Sequence, residues 1–172
     1  MKKKFLLLIF TISIVILTTS FFAFLKLRNT CDKMRENLLD KGNLAAMSID
    51  LNRVESLTGT INDIQNPDYL RLKDQFRKMK ESVDLFRFVY LMGINENGEV
   101  FFFVDNEPVN SEKISLPGEK YSDASDELKA IFSTGNSFVE GPLSDEWGTW
   151  ISPLVPLKDP NTGKVVAVFG ID

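Results

Sequence analysis

The sequence predicts an α+β protein: an N-terminal transmembrane helix and a long helix, then a five-stranded antiparallel sheet with flanking helices. Three observations carry this. Residues 5–25, FLLLIFTISIVILTTSFFAFL, contain no charge and follow Lys2, Lys3 and Lys4. Two later stretches space their apolar residues by three and four, the helical period. From residue 86 onward the chain changes to β-branched and aromatic segments separated by turn residues, the pattern of strands.

The first element is the uncharged run. Its 21 residues at 1.5 Å rise are enough to cross a hydrocarbon core of about 30 Å. A cleaved signal peptide is the rival reading, but its apolar region is shorter and ends at small residues, whereas this run ends in the bulky TTSFFAFLK. An uncleaved anchor is therefore expected. The short basic tail 1–4 places the N-terminus in the cytoplasm and residues 29–172 outside it.

After the anchor, Leu27, Cys31, Met34 and Leu38 are spaced four, three, four, a narrow seam suited to a partner helix and hence to a homodimer through residues 27–38. A single amphipathic helix lying on its own domain gives the same spacing. Gly42 is read as an interruption, after which Leu44, Met47, Leu51 and Val54 form a second stripe, expected to pack on the domain. Asn66-Pro67-Asp68 is a helix start, with an N-cap, a proline at the first helical position and an acid in the first turn. Tyr69, Leu72, Phe76, Met79 and Val83 follow as its buried face.

The strands come next. Residues 86–94 and 99–104 flank the turn signal Asn97-Gly98 and form a hairpin. Both faces of this hairpin are apolar, so both must be covered, and the helices can cover only one. The polar segment 105–121 is long for a bare connection, as lids and binding loops are. A short helix is expected near residues 123–134, with Gly135 as its stop, and strands at 136–143, 148–157 and 164–171 close the chain.

Composition narrows the chemistry. There is no histidine and one cysteine, Cys31, which removes histidine-based catalysis, thiolate metal clusters and an intrachain disulfide. No glycine-rich phosphate-binding run is present, and no cofactor or metal is expected. Residues 29–172 hold 15 basic and 24 acidic side chains, a net charge of −9, which argues against a nucleic-acid partner.

The element order is PAS-like, and several stretches carry a closer resemblance. SLTGTINDIQNPDYLRLKDQ, FVYLMG, FFFVDNEP, GEKYSDAS and EGPLSDEWGTWISPLVPLKDPNTGKVVAVFGID, over most of residues 56–172, resemble the extracytoplasmic PAS-like (PDC/Cache) sensor domains of membrane-bound sensor histidine kinases and diguanylate cyclases. The resemblance implies a sensor that binds a small molecule, or a neighbouring protein, and passes a helix displacement through the membrane. In that family a second membrane helix and an output module follow the Gly-Ile-Asp ending. It also implies a division into a tail 1–4, a membrane helix 5–25, a juxtamembrane stalk helix 26–58 and a sensor domain 59–172. The chain departs from the family at Asn106, at Ile114-Ser115-Leu116-Pro117, and at Glu146, where an arginine is usual.

Candidate ligand-binding residues follow from chemistry and position. Trp147 and Trp150, the two tryptophans, flank Gly148 and are read as a pocket rim and wall or as a core corner. Asp145 and Glu146 offer carboxylates to an amine or a cation, or are a solvated turn. Arg87, inside an apolar strand, suits a ligand carboxylate, or reaches water or Glu99. Tyr90, Met92, Phe101 and Phe103 are grouped on one face of the hairpin, as core or as pocket lining. Asp105, at the mouth of the long loop, is the leading polar candidate, followed by Ser152. Residues 144–152 and 105–121 are placed at the mouth of a pocket on the sheet face away from the long helices. A ligand-free dimerisation or partner-docking module and a carboxylate-dependent hydrolase are the alternatives to a small-molecule sensor.

Overall fold

The computed structural model describes residues 2–83, 86–145 and 148–172. It divides into two units, 1–37 and 38–172. The element order is α1 (Lys2–Ala46), α2 (Leu51–Glu55), a 3₁₀ turn (Ile61–Gln65), α3 (Pro67–Ser82), β1 (Val89–Ile94), β2 (Val100–Asp105), α4 (Asp126–Thr134), β3 (Phe138–Asp145), β4 (Gly148–Lys158) and β5 (Val165–Ile171). The fold is α+β, with a long apolar N-terminal helix and a five-stranded antiparallel sheet between flanking helices.

In the first unit α1 is long and apolar enough to cross a membrane, and its apolar window buries nothing against protein. Phe10, Val15, Leu17 and Phe22 are all exposed. Leu27 and Met34 of the predicted seam are exposed as well.

In the second unit the sheet order is β2-β1-β5-β4-β3, with every neighbouring pair antiparallel. One face is covered by the end of α1, by α2 and by α3. Val54, Tyr69, Leu72 and Phe76 pack there on Val89, Leu91, Phe169 and Ile171. Phe76 and Phe169 meet with ring centroids 5.7 Å apart. The other face is covered by α4 and the segment before it, with Ala124, Leu128 and Ile131 on Met92, Phe102, Leu154 and Val168.

The helix caps follow the residues that signal them. Asn66 Oδ1 accepts from the Asp68 amide and Pro67 opens α3, as predicted. Ser125 caps α4 by accepting from the Leu128 amide, and Gly135 ends it. Between α2 and α3 the buried Asp63 folds the chain back on itself, accepting from the amides of Thr58 and Gly59 and from the Thr58 hydroxyl at 2.8–3.0 Å.

Two expectations need correction. Gly42 does not interrupt the helix: α1 runs through it to Ala46, and Gly42 is buried. A Cβ there would stand 2.9 Å from Cβ of Pro153 on β4, so the missing side chain is what lets α1 lie on the sheet. Ala46 and Ile49 turn inward, while Leu44 and Met47 of the predicted stripe are 69% and 83% exposed.

Phe76→Ala is expected to cost about 3–5 kcal/mol in denaturant unfolding of the second unit, through transfer and cavity terms. Gly42→Leu is expected to cost about 1–3 kcal/mol by overpacking against Pro153. Leu70→Ala, on the exposed side of α3, is expected to stay within about 0.5 kcal/mol.

Candidate functional site

The site is built where β1 and β5 meet on the α4-covered face. Tyr90 and Gly170 are direct cross-strand partners. A Cβ on Gly170 would lie 2.2 Å from the Tyr90 ring, so only glycine leaves room for the ring to lie across β5. From there the Tyr90 hydroxyl donates to Oδ1 of Asp172 at 2.8 Å. Ser152, on β4, donates to the same oxygen at 2.5 Å. Burial, together with the Asp172 carboxylate, pushes the Tyr90 phenol well above its ordinary range, which keeps it a neutral donor. The Asp172 backbone is fixed by a bond from its amide to the Phe88 carbonyl, at 2.9 Å, and by accepting from the Arg87 amide.

Two small cavities share this node. The outer one, about 40 Å³, is walled by Phe88, Tyr90, Met92 and Phe102, by Tyr121, and by the polar residues Asp105, Lys113, Ser115 and Asp172. The inner one, about 20 Å³, adds Glu140, Leu143, Trp150 and Ser152 to the shared Tyr90, Met92, Tyr121 and Asp172. The rings make a connected wall. Phe88 meets Trp150 edge-on at 5.3 Å, and Phe102 contacts Tyr90 at 5.9 Å and Tyr121 at 5.6 Å. Glu140 bonds the Ser125 hydroxyl, so one carboxylate links the cavity to the cap of α4. Burial raises the Glu140 carboxyl, with Glu127 adding to the rise and Ser125 opposing it.

The predicted residues divide. Tyr90, Met92 and Asp105 line the outer cavity, and Trp150 and Ser152 the inner one. Asp105 is 4% exposed and fully engaged in protein contacts. Its Oδ1 accepts from Lys73 Nζ at 2.9 Å, and its Oδ2 from the Ser115 amide at 2.7 Å. Burial raises its carboxyl above the usual range, while Lys73 and the backbone donors of Ser115 and Glu107 pull the other way.

Phe101 and Phe103 are not in the cavity wall. A bulge between the pairs Leu91–Val104 and Met92–Phe102 breaks the alternation of β2 and brings Phe102 to the cavity face. Phe101 and Phe103 pack on each other at 4.8 Å, over Gly93 and beside Gly59. Arg87 lines neither cavity. Its guanidinium sits 4.4 Å from the Phe88 ring centroid and bonds Glu107 at 2.9 Å, so the charge in the apolar segment is met by a buried carboxylate. Asp145 ends β3 opposite Gly148. Glu146 and Trp147 lie outside the described residues.

Sequence reasoning passed over Phe102, Lys113, Ser115, Tyr121, Glu140 and Asp172. Asp172 had a signal, since a carboxylate ending an apolar strand must find donors. Phe102 had none, because the bulge that turns it inward is a tertiary feature.

No family profile matches the sequence, and no curated protein does. Solved structures give distant likenesses. The sensory domain of the Campylobacter jejuni chemoreceptor Tlp3 (CcmL) is 18% identical over 82% of this chain and 60% of that one, with a TM-score of 0.38. The ligand-binding domain of the same receptor in complex with L-valine is 16% identical over 84% and 61%, with a TM-score of 0.37. The chain thus spans about 60% of the length of these proteins.

Tyr90→Phe is expected to lower stability by about 1.5–3 kcal/mol, the usual value of a hydrogen bond to a charged group. Gly170→Val is expected to cost more, because it displaces the ring itself. Chemical denaturation of the two variants checks the order, and an equal or reversed order contradicts this geometry.

Proposed function

We propose that residues 59–172 are the extracytoplasmic sensory portion of a membrane receptor, and that the cavity around Tyr90, Ser152 and Asp172 is its ligand site. The observation that carries this is the convergence of three polar groups on one point inside an aromatic wall, the composition of a small-molecule site. Asp172 selects a donor-bearing or cationic group. Lys113, which lines the same outer cavity, suits an anionic end, and Phe88, Met92 and Phe102 suit an apolar body. A small amine or amino acid meets all three demands.

The rest of the proposal follows the resemblance to PDC/Cache sensors of histidine kinases and diguanylate cyclases. Residues 5–25 anchor the chain in the membrane, residues 26–58 act as the stalk, residues 27–38 pair in a homodimer, and residues 29–172 lie outside the cytoplasm. The chain binds and transmits, and the chemistry belongs to an output module. One observation favours a second reading, a ligand-free docking module: about 40 Å³ accommodates little more than water, so the cavity must widen to bind anything larger.

A thermal-shift screen separates the two readings. Alkylamines, amino acids including L-valine and L-isoleucine, organic acids and divalent cations are the probes. A compound at 100 times its Kd is expected to add about 2.7 kcal/mol of stability. Hits are expected among amine-bearing compounds, with loss of the shift in Asp172→Asn. In a Trp147→Phe background the same hits are expected to alter Trp150 emission. Hits confined to compounds without an amine contradict the ligand class, and an empty screen favours the docking module.

A further inference from the structure

The segment after β2 is fastened at two points to the helix on the far side of the sheet. At the first, Asp105 holds four hydrogen bonds. Lys73 Nζ, on α3, reaches its carboxylate at 2.9 Å and its carbonyl at 3.2 Å. The amides of Glu107 and Ser115 donate to the same carboxylate at 3.2 and 2.7 Å. At the second, the buried Glu107 takes Lys80 of α3 at 3.3 Å, Arg87 at 2.9 Å and the Ser111 hydroxyl at 2.7 Å. Lys73 and Lys80 are two turns apart on α3, so they lie on one side of it. β2 is the outermost of the five strands, with residues 118–121 bonded along its far edge, and Lys73 of α3 reaches Asp105 at its end.

The fastened segment is also the cavity wall. Lys113 and Ser115 line the outer cavity, and Asp105 lines it from beneath. A ligand larger than water fits only if the cavity widens, and moving this wall outward breaks the bond between the Ser115 amide and Asp105. The root of the segment is pinned separately: Asn106 Oδ1 accepts from the Val89 amide at 2.5 Å.

We propose that residues 107–117 are a gate over the cavity, hinged where Gly118, Glu119 and Tyr121 bond the β2 backbone, and that α3 sets its closed state through Lys73, Asp105 and the Ser115 amide. The inference rests on the cavity being a ligand site and adds its regulation. Lys73 is a positioning residue, which touches no ligand. By reciprocity, whatever displaces α3 loosens the gate, and whatever opens the gate loosens α3.

Hydrogen exchange on the full chain in detergent micelles tests this without any ligand, so its failure and the failure of the ligand-site reading are separate results. In Lys73→Met, amides of residues 107–116 are expected to exchange about tenfold faster or more, with β1 and β5 amides unchanged. Lys73→Arg is expected to restore most of the protection. Lys78→Met, exposed on the same helix, is the control and is expected to have no effect. Asp105→Asn keeps the shape but weakens the junction, and is expected to speed exchange in 107–116 and in α3 together. Unchanged exchange in 107–116, or a rise spread equally over β1 and β5, overturns the proposal. So does an Asp105→Asn effect confined to the loop.

Discussion

A sheet that is apolar on both faces has to be covered on both, and the rest of the second unit follows from that constraint. Leu91, Phe169 and Ile171 face one way, and Met92, Leu154 and Val168 the other. α3 and the end of α1 cover the first set with large, close-fitting side chains. α4 is only nine residues long and covers the second set in part. The polar segment 106–121 supplies the remaining cover, and it cannot pack as densely as a helix does. The outer cavity persists under it and the inner one beside α4 and Tyr121, and the polar groups of the sheet end converge there.

The polar node depends on the same geometry. Tyr90 reaches Asp172 only because Gly170 leaves its ring room to cross β5, and Ser152 arrives from β4 by the sheet register. One carboxylate oxygen thus gathers hydroxyls from β1 and β4. Asp105 does the equivalent at the end of β2, joining α3 to the loop. The two carboxylates line one cavity and do different things: Asp172 joins β1, β4 and β5, and Asp105 joins α3 to the loop.

Much of this was legible in the sequence, and the failures have physical causes. The hairpin, α3 with its Asn66-Pro67 start, α4 with its Gly135 stop and the last three strands follow from period and punctuation. The need for a second cover followed from the two apolar faces. Gly42 misled because propensity marks glycine as a breaker, whereas here it is a contact point for Pro153. Phe101 and Phe103 misled because strict alternation fails at the bulge, which no single-strand pattern records. Arg87 drew attention as a buried charge, yet its partner Glu107 lies 20 residues away in sequence and is invisible to local reading. Asp105 was singled out for its position, and the sequence held no hint that Lys73 would answer it.

The central claim is that the node at Tyr90, Ser152 and Asp172 receives a ligand, with the face bearing α3 acting only as support. Amide chemical-shift mapping by NMR, with any compound that raises the melting temperature, tests it most directly. The account expects perturbations at residues 88–92, 113–121, 150–152 and 170–172, with Gly170 among the largest. Perturbations confined to the open groove between α1 and α3, at Ala45, Gln75 and Met79, would contradict it.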